Sequence, residues 1–225
     1  MSRLVKICGL RDPENIREVL KLNPDFAGLI FHPASPRCVT DLDSLRFLNQ
    51  INPPVHIITA NTSQTPGTPT ARTKVIGVFV DPEVRNILEI TKVLHLDAIQ
   101  LHGSETPETC KAIRDIGFMI IKAFGIKPGF DFTSISAFDE SVDYFLFDTA
   151  SSKHGGTGLQ FDWALLDEYQ GKTPWILSGG ISPETNEFPT HKLMAGVDLN
   201  SRFEIAPGIK DIGLLKKFIK KFRDE

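Results

Sequence analysis

Short apolar runs recur along this chain, and the stretches between them place apolar residues three and four positions apart. Leu4 to Cys8, Phe26 to Phe31, Val75 to Val80, Ala98 to Leu101, Met119 to Phe124, Tyr144 to Phe147, Trp175 to Leu177 and Gly196 to Leu199 are eight strand candidates. Pro13 to Leu22, Leu42 to Ile51, Pro82 to Leu94, Pro107 to Ile116 and Phe161 to Tyr169 carry the spacing of one apolar helix face. Asp12-Pro13-Glu14 and Asp81-Pro82-Glu83 read as helix starts, because proline fits the first turn and acidic side chains favour it.

Strands alternating with helices imply parallel pairing through right-handed crossovers, and eight such units can close on themselves. The pattern therefore predicts a TIM (β/α)8 barrel as a single domain over residues 1–225. An open doubly wound sheet is the alternative, but its glycine signature belongs after the first strand, whereas here the glycine turns come late. Thr59 to Thr73, rich in Thr, Pro, Ser and Gly, reads as an exposed excursion before the third strand. Pro189 makes the connection from Pro183 to Leu193 a short or irregular helix.

Composition narrows the partner. The chain has 225 residues, 41% hydrophobic and 24% charged, which allows one sizeable core. A net charge of −3 gives no reason to expect nucleic acid or an anionic membrane surface. With no apolar run of membrane-spanning length and Ser2-Arg3 leading straight into a strand, the expectation is a cytoplasmic protein, and a monomer that binds a small molecule. Cys8, Cys38 and Cys110 are odd in number and widely spaced, which suits free thiols rather than disulfides or a zinc site, and no other cluster has metal-ligand spacing.

The chemistry lies where strands end, since every exit of a parallel barrel opens on one face. Alternation puts Cys8 with Lys6 and Leu4 toward the axis and Val5 and Ile7 outward. The same count assigns Asp148 with Leu146, His102 with Gln100, Lys122 with Ile120, and Asp198 to axial faces. Cys8 is either a small buried hydrophobe or a thiol that Lys6 could activate, unless Lys6 reaches out to solvent. Asp148 is either a turn cap or an acid–base group. His102 with Gln100 either lines a pocket or fills a structural hydrogen-bonding role, whereas His56, His95 and His191 read as surface or packing residues.

Three turns follow the last three strands: Gly155-Gly156-Thr157-Gly158, Ser178-Gly179-Gly180, and Asn200-Ser201-Arg202. Backbone N–H groups uncovered by Cβ atoms can cradle an anion, and barrels often bind phosphate at their last exits. Gly156, Gly158, Gly179, Gly180, Asn200 and Ser201 are thus candidate phosphate contacts. Arg37, in Ser35-Pro36-Arg37 after the second strand, is expected far from those loops, which fits a substrate with an anion at each end.

These motifs resemble the phosphoribosylanthranilate isomerase family of tryptophan biosynthesis over nearly the whole chain. The carriers are Lys6-Ile7-Cys8-Gly9-Leu10, Ser35-Pro36-Arg37, Gly77-Val78-Phe79-Val80, Gln100-Leu101-His102-Gly103-Ser104-Glu105, Phe147-Asp148-Thr149, Gly155-Gly156-Thr157-Gly158 with Phe161-Asp162-Trp163, Ser178-Gly179-Gly180-Ile181, and Val197-Asp198 leading to Pro207-Gly208-Ile209-Lys210-Asp211. The resemblance implies an Amadori rearrangement of N-(5-phosphoribosyl)anthranilate with no metal or organic cofactor. It assigns Asp148 as general acid, Cys8 as general base, Arg37 to the anthranilate carboxylate and the late turns to the phosphate. Asp198 is a weaker candidate for positioning. The chain departs from the family at Arg202, where many members have glycine, so Arg202 either alters the phosphate grip or points to solvent. A related histidine-pathway isomerase would carry an aspartate in place of Cys8. A barrel that only binds a phosphorylated metabolite would leave Cys8 and Asp148 dispensable.

Overall fold

The computed structural model describes residues 3–51, 72–150 and 161–224. Eight parallel strands, β1 (Leu4–Leu10), β2 (Phe26–Ile30), β3 (Lys74–Phe79), β4 (Ala98–Leu101), β5 (Met119–Ile126), β6 (Tyr144–Thr149), β7 (Trp175–Leu177) and β8 (Met194–Leu199), close in chain order. The ring is sealed by pairing of Lys6 with Asp198 and of its neighbours between β1 and β8. This is the expected TIM barrel.

Two apolar layers follow from strand alternation. Cys8, Phe26, Ile76, Val78, Ala98, Ile121, Ala123, Leu146 and Ile176 fill the axis, while Val5, Ile7, Leu29, Ile99 and Phe145 pack outward against the helices. The helices α1 (Pro13–Leu20), α2 (Leu48–Ile51), α3 (Val84–Thr91), α4 (Pro107–Asp115) and α5 (Ile212–Asp224) are amphipathic or short. Asp12 caps α1 by accepting a hydrogen bond from Asn15 N, with Pro13 in the first turn. In α5, buried Leu215, Phe218, Ile219 and Phe222 form one stripe against the barrel.

The end of the barrel where strands begin is pinned by a repeated device. Asp25, Asp97 and Asp143, each just before a strand, accept hydrogen bonds from Val5 N, Val75 N and Ile120 N of the preceding strand, at 2.8, 2.7 and 2.7 Å. Such contacts stabilise, and leave the opposite end free for chemistry.

Five details differ from the sequence reading. Asp81 does not begin α3: its backbone is left-handed at φ 45°, and its carboxylate accepts from Ser104 N at 2.6 Å, so the helix waits until Val84. Lys122 with Ile120 faces outward, since Lys122 pairs laterally with Leu101 and Phe145, both in the outer layer. The axial residues of β5 are Ile121 and Ala123. The chain also forms an unforeseen hairpin, β9 (Glu204–Ala206) with β10 (Ile209–Lys210), turned at Pro207-Gly208 with Gly208 at φ 86°. Finally, 183–193 forms no helix, and the helix expected over Phe161 to Tyr169 is a 3-10 helix, Trp163–Glu168. Most of the Thr59 to Thr73 excursion lies outside the described residues.

Candidate active site

β1 delivers Cys8 to the exit end on the axial face, with its thiol buried. Gly28 of β2 makes this possible: a Cβ there would stand 2.9 Å from Cys8 Sγ. Two residues earlier on the same face is Lys6. It does not reach solvent; it is fully buried, and its ammonium donates to Asp198 Oδ1 at 2.9 Å. Burial alone would drive Lys6 toward neutrality, but Asp198 and Cys8 together hold its pKa above the ordinary value. Burial likewise raises the Cys8 thiol, opposed by the Lys6 and Lys210 cations.

Asp148 ends β6 on the axial face. Its Oδ1 accepts from Thr149 N at 2.8 Å, while Oδ2 lies 3.8 Å from His102 Nε2. The capping reading and the acid–base reading thus occupy different oxygens. Burial raises the carboxyl pKa and wins over the Thr149 N–H, Lys6 and Ser178, which oppose it. His102 is pushed down to about 4, first by burial and then by Lys122 and Lys6, so the ring facing Asp148 is neutral at pH 7. Gln100, fully buried beneath it, approaches His102 Nδ1 at 3.5 Å. Lys6 acts electrostatically on both Cys8 and Asp148.

The turn after β7 stands against the acid. Gly179 and Gly180 have φ of 79° and 75°, and a Cβ on Gly179 would lie 2.4 Å from Thr149 Oγ1 and 2.7 Å from Asp148 Oδ1. Glycine is therefore required there, and it leaves backbone N–H groups uncovered. Ser178, which sequence reading quoted without a role, donates to Asp198 Oδ2 at 3.4 Å and acts to lower the pKa of Asp148. Gly156 and Gly158 lie outside the described residues, as does His56. His191 packs between Tyr169 and Trp175, as expected.

Arg37 corrects an expectation. Far from being remote from the last loops, it is ion-paired to Glu204 in the hairpin after β8, with Nη2 to Oε2 at 2.7 Å and Nε to Oε1 at 2.9 Å. Its side chain crosses Gly9, whose added Cβ would be 2.6 Å from Arg37 Cδ and 2.6 Å from Asn200 Oδ1. Arg37 therefore stands over the residue next to Cys8. Asn200 Oδ1 accepts from Lys210 Nζ at 2.9 Å, and Ser201 opens a 3-10 helix, Ser201–Phe203. Arg202 is exposed and acts on Glu184. Glu204 was missed because its carboxylate finds Arg37 only through the fold. The polar Glu204 and Lys210 flanking a Pro-Gly turn were the available sign.

Among the described residues, no group of three or more His, Cys, Asp or Glu side chains could hold a metal ion, and no helix is long and apolar enough to cross a membrane. What the exit end offers is a thiol beside a lysine, a carboxyl with raised pKa at the end of β6, and cations and uncovered N–H groups around them.

A family model described as N-(5'phosphoribosyl)anthranilate (PRA) isomerase matches residues 5–221. A protein of that name from Parabacteroides distasonis is 41% identical over 223 residues, covering 96% of this chain and 91% of the relative. The crystal structure of phosphoribosyl anthranilate isomerase from Thermotoga maritima superposes with a TM-score of 0.77 at 29% identity, covering 100% of both chains. A crystal structure of a phosphoribosyl anthranilate isomerase in complex with reduced 1-(o-carboxyphenylamino)-1-deoxyribulose 5-phosphate gives a TM-score of 0.73 at 28% identity, again over 100% of both chains.

Proposed function

The chain belongs to the N-(5'-phosphoribosyl)anthranilate isomerase family, and from that premise we propose that it performs an Amadori rearrangement in tryptophan biosynthesis, using Asp148 as general acid and Cys8 as general base. The substrate is N-(5-phosphoribosyl)anthranilate and the product 1-(2-carboxyphenylamino)-1-deoxyribulose 5-phosphate. The reaction is an intramolecular aldose–ketose redox exchange: C1 gains the hydrogen equivalent that C2 loses, so the residues need only move protons.

Asp148 protonates the furanose ring oxygen as the bond from C1 to that oxygen breaks, and the anthranilate nitrogen lone pair stabilises C1 as an iminium. The Cys8 thiolate then takes the C2 proton, its electron pair forming the C1–C2 double bond of an enolamine. Loss of the proton from the C2 hydroxyl and protonation at C1 give the ketone. Arg37 holds the anthranilate carboxylate, the Gly179-Gly180 turn and Ser201, with Gly156 and Gly158, hold the phosphate, and Asp198 positions Lys6. Holding the carboxylate and the phosphate fixes the reacting carbons against acid and base.

Such a mechanism needs the carboxyl protonated while the thiol is ionised, although reference pKa values of about 3.9 and 8.5 favour the reverse. Only the minor form with exchanged protonation reacts, and its share grows as the two pKa values converge. The observation that carries the reading is Asp148 itself: axial at the β6 exit, its pKa raised by burial, facing a neutral histidine. A carboxyl whose pKa burial raises, at the same barrel exit as a lysine-flanked thiol, suits acid–base work and has no use in a passive phosphate binder. The absence of a metal requirement rests on the same point, since the chain supplies both proton carriers.

The test follows substrate fluorescence as it disappears, with protein pretreated with chelator. Full turnover that falls by about 10²- to 10⁴-fold in Asp148→Asn, with unfolding temperature retained, is expected. Turnover abolished by the chelator, or preserved in Asp148→Asn, overturns the assignment.

A further inference from the structure

One carboxylate in this barrel collects more donors than any turn requires. Glu204 accepts from Arg37 Nε at 2.9 and 3.1 Å, from Arg37 Nη2 at 2.7 Å, from Lys210 Nζ at 2.8 Å and from Gly208 N at 3.1 Å. All three charged side chains are buried: Arg37 is 8% exposed, Glu204 5% and Lys210 0%. Burial raises Glu204, but the two cations outweigh it and keep it ionised. The Lys210 ammonium donates to Asn200 Oδ1 as well, and its backbone is locked to α1 by a reciprocal pair of hydrogen bonds with the Asn15 amide, at 2.7 and 2.9 Å.

Two consequences follow from counting charges and edges. Two cations share one anion, so the cluster keeps one positive charge where burial makes an unbalanced charge costly. The pairing also consumes Nε and Nη2 of Arg37, which fixes the plane of the guanidinium above Gly9 and leaves Nη1 outside that pairing. A guanidinium held on one edge is pre-organised to bind a second carboxylate on the other.

Resting on the reading of Arg37 as the anthranilate anchor, we infer that Glu204 and Lys210 are positioning residues for substrate recognition. Glu204 fixes the guanidinium of Arg37, and Lys210 restores the positive charge that Glu204 cancels, so that the cluster is completed by the substrate's aromatic carboxylate. The hairpin β9–β10 thereby becomes a specificity device that selects the aglycone end of the substrate.

Steady-state kinetics of Glu204→Gln and Lys210→Met decide this, together with competitive inhibition by reduced 1-(o-carboxyphenylamino)-1-deoxyribulose 5-phosphate, which has the carboxylate, and by ribulose 5-phosphate, which lacks it. In both variants KM and the inhibition constant of the carboxylated analogue are expected to rise by at least about tenfold, with kcat and the ribulose 5-phosphate constant changed by less than about threefold. Equal weakening of both inhibitors, no weakening of either, or tighter binding of the carboxylated analogue to Glu204→Gln overturns the inference. Should Glu204→Gln fail to fold, Lys210→Met and the conservative Glu204→Asp carry the same comparison, and partial recovery is expected in Glu204→Asp. If the wild-type protein turns over no substrate, the reaction assignment fails, while direct titration with the two inhibitors still tests the hairpin.

Discussion

The barrel assembles a cysteine, a lysine and a carboxylate twice, in two environments. Inside the exit, Cys8 neighbours Lys6, which pairs with Asp198 at 2.9 Å. Outside it, under the loop from β4 to α4, Cys110 neighbours Lys122, which pairs with Glu105 at 3.0 Å. Both lysines and both cysteines are buried. The difference lies in saturation. Lys122 also donates to the carbonyls of Gly103, Ala123 and Leu101 at 2.8, 3.1 and 3.5 Å, and Glu105 also accepts from Asp81 N and Gly103 N. That cation has no capacity left for a thiol, and Cys110 is pushed up to about 11, chiefly by burial. Lys6 makes its ion pair with Asp198 and acts electrostatically on Cys8. A saturated trio clamps a loop, and an unsaturated one leaves its cation available for chemistry.

The sharpest way to break the comparison is to exchange the thiols. Cys8→Ser is expected to cut kcat by about 10²- to 10⁴-fold without lowering the unfolding temperature, whereas Cys110→Ser leaves kcat within about twofold. Equal losses of turnover in the two variants would show that saturation does not separate them.

Removing the cations tests the same point more gently. Lys122→Met strands Glu105 among its loop and should cost about 3–5 kcal/mol in denaturant unfolding. Lys6→Met strands Asp198 and is destabilising too, so stability alone does not discriminate. The pH profile does. Lys6 lowers the pKa of Cys8 and of Asp148, so without it both groups move up, and the basic limb of kcat/KM, which the thiol sets, shifts to higher pH. Lys122→Met should leave that limb in place. A basic limb unmoved in Lys6→Met would remove Lys6 from the chemistry.

How much of this the sequence disclosed depends on how local the cause is. All eight strands and the inward parity of Lys6, Cys8, Gln100, His102, Asp148 and Asp198 were readable, because alternation and strand ends are set by near neighbours. Lys122 was misplaced because parity relates it to Ile120 without saying which face is inward. Only lateral pairing with Leu101 and Phe145 settles that. Asp81 looked like a helix start, and its carboxylate went instead to Ser104 on a neighbouring loop. Arg37 and Glu204, 167 positions apart, show the limit most plainly, since an ion pair across the closure of a barrel has no local signature.

His102 sits between the two trios and sharpens the contrast by the smallest effect. Both Lys122 and Lys6 depress its pKa after burial, to about 4 from an ordinary 6.5. Between those values the unfolded chain binds more protons than the folded one, so stability falls as pH drops from about 6.5 toward 4 and this contribution levels off below. The loss should reach roughly 2–3 kcal/mol, allowing for water over the exposed quarter of the ring. Denaturant midpoints of wild type and His102→Asn, measured across that window, should diverge by this amount, with the variant losing less. In Lys122→Met the histidine is relieved of the larger of its two lysine neighbours' effects, so the acid loss should shrink, and more than in Lys6→Met. The reverse ordering would mean that the clamp outside the barrel is electrostatically silent at the exit, and that only the axial lysine reaches across it.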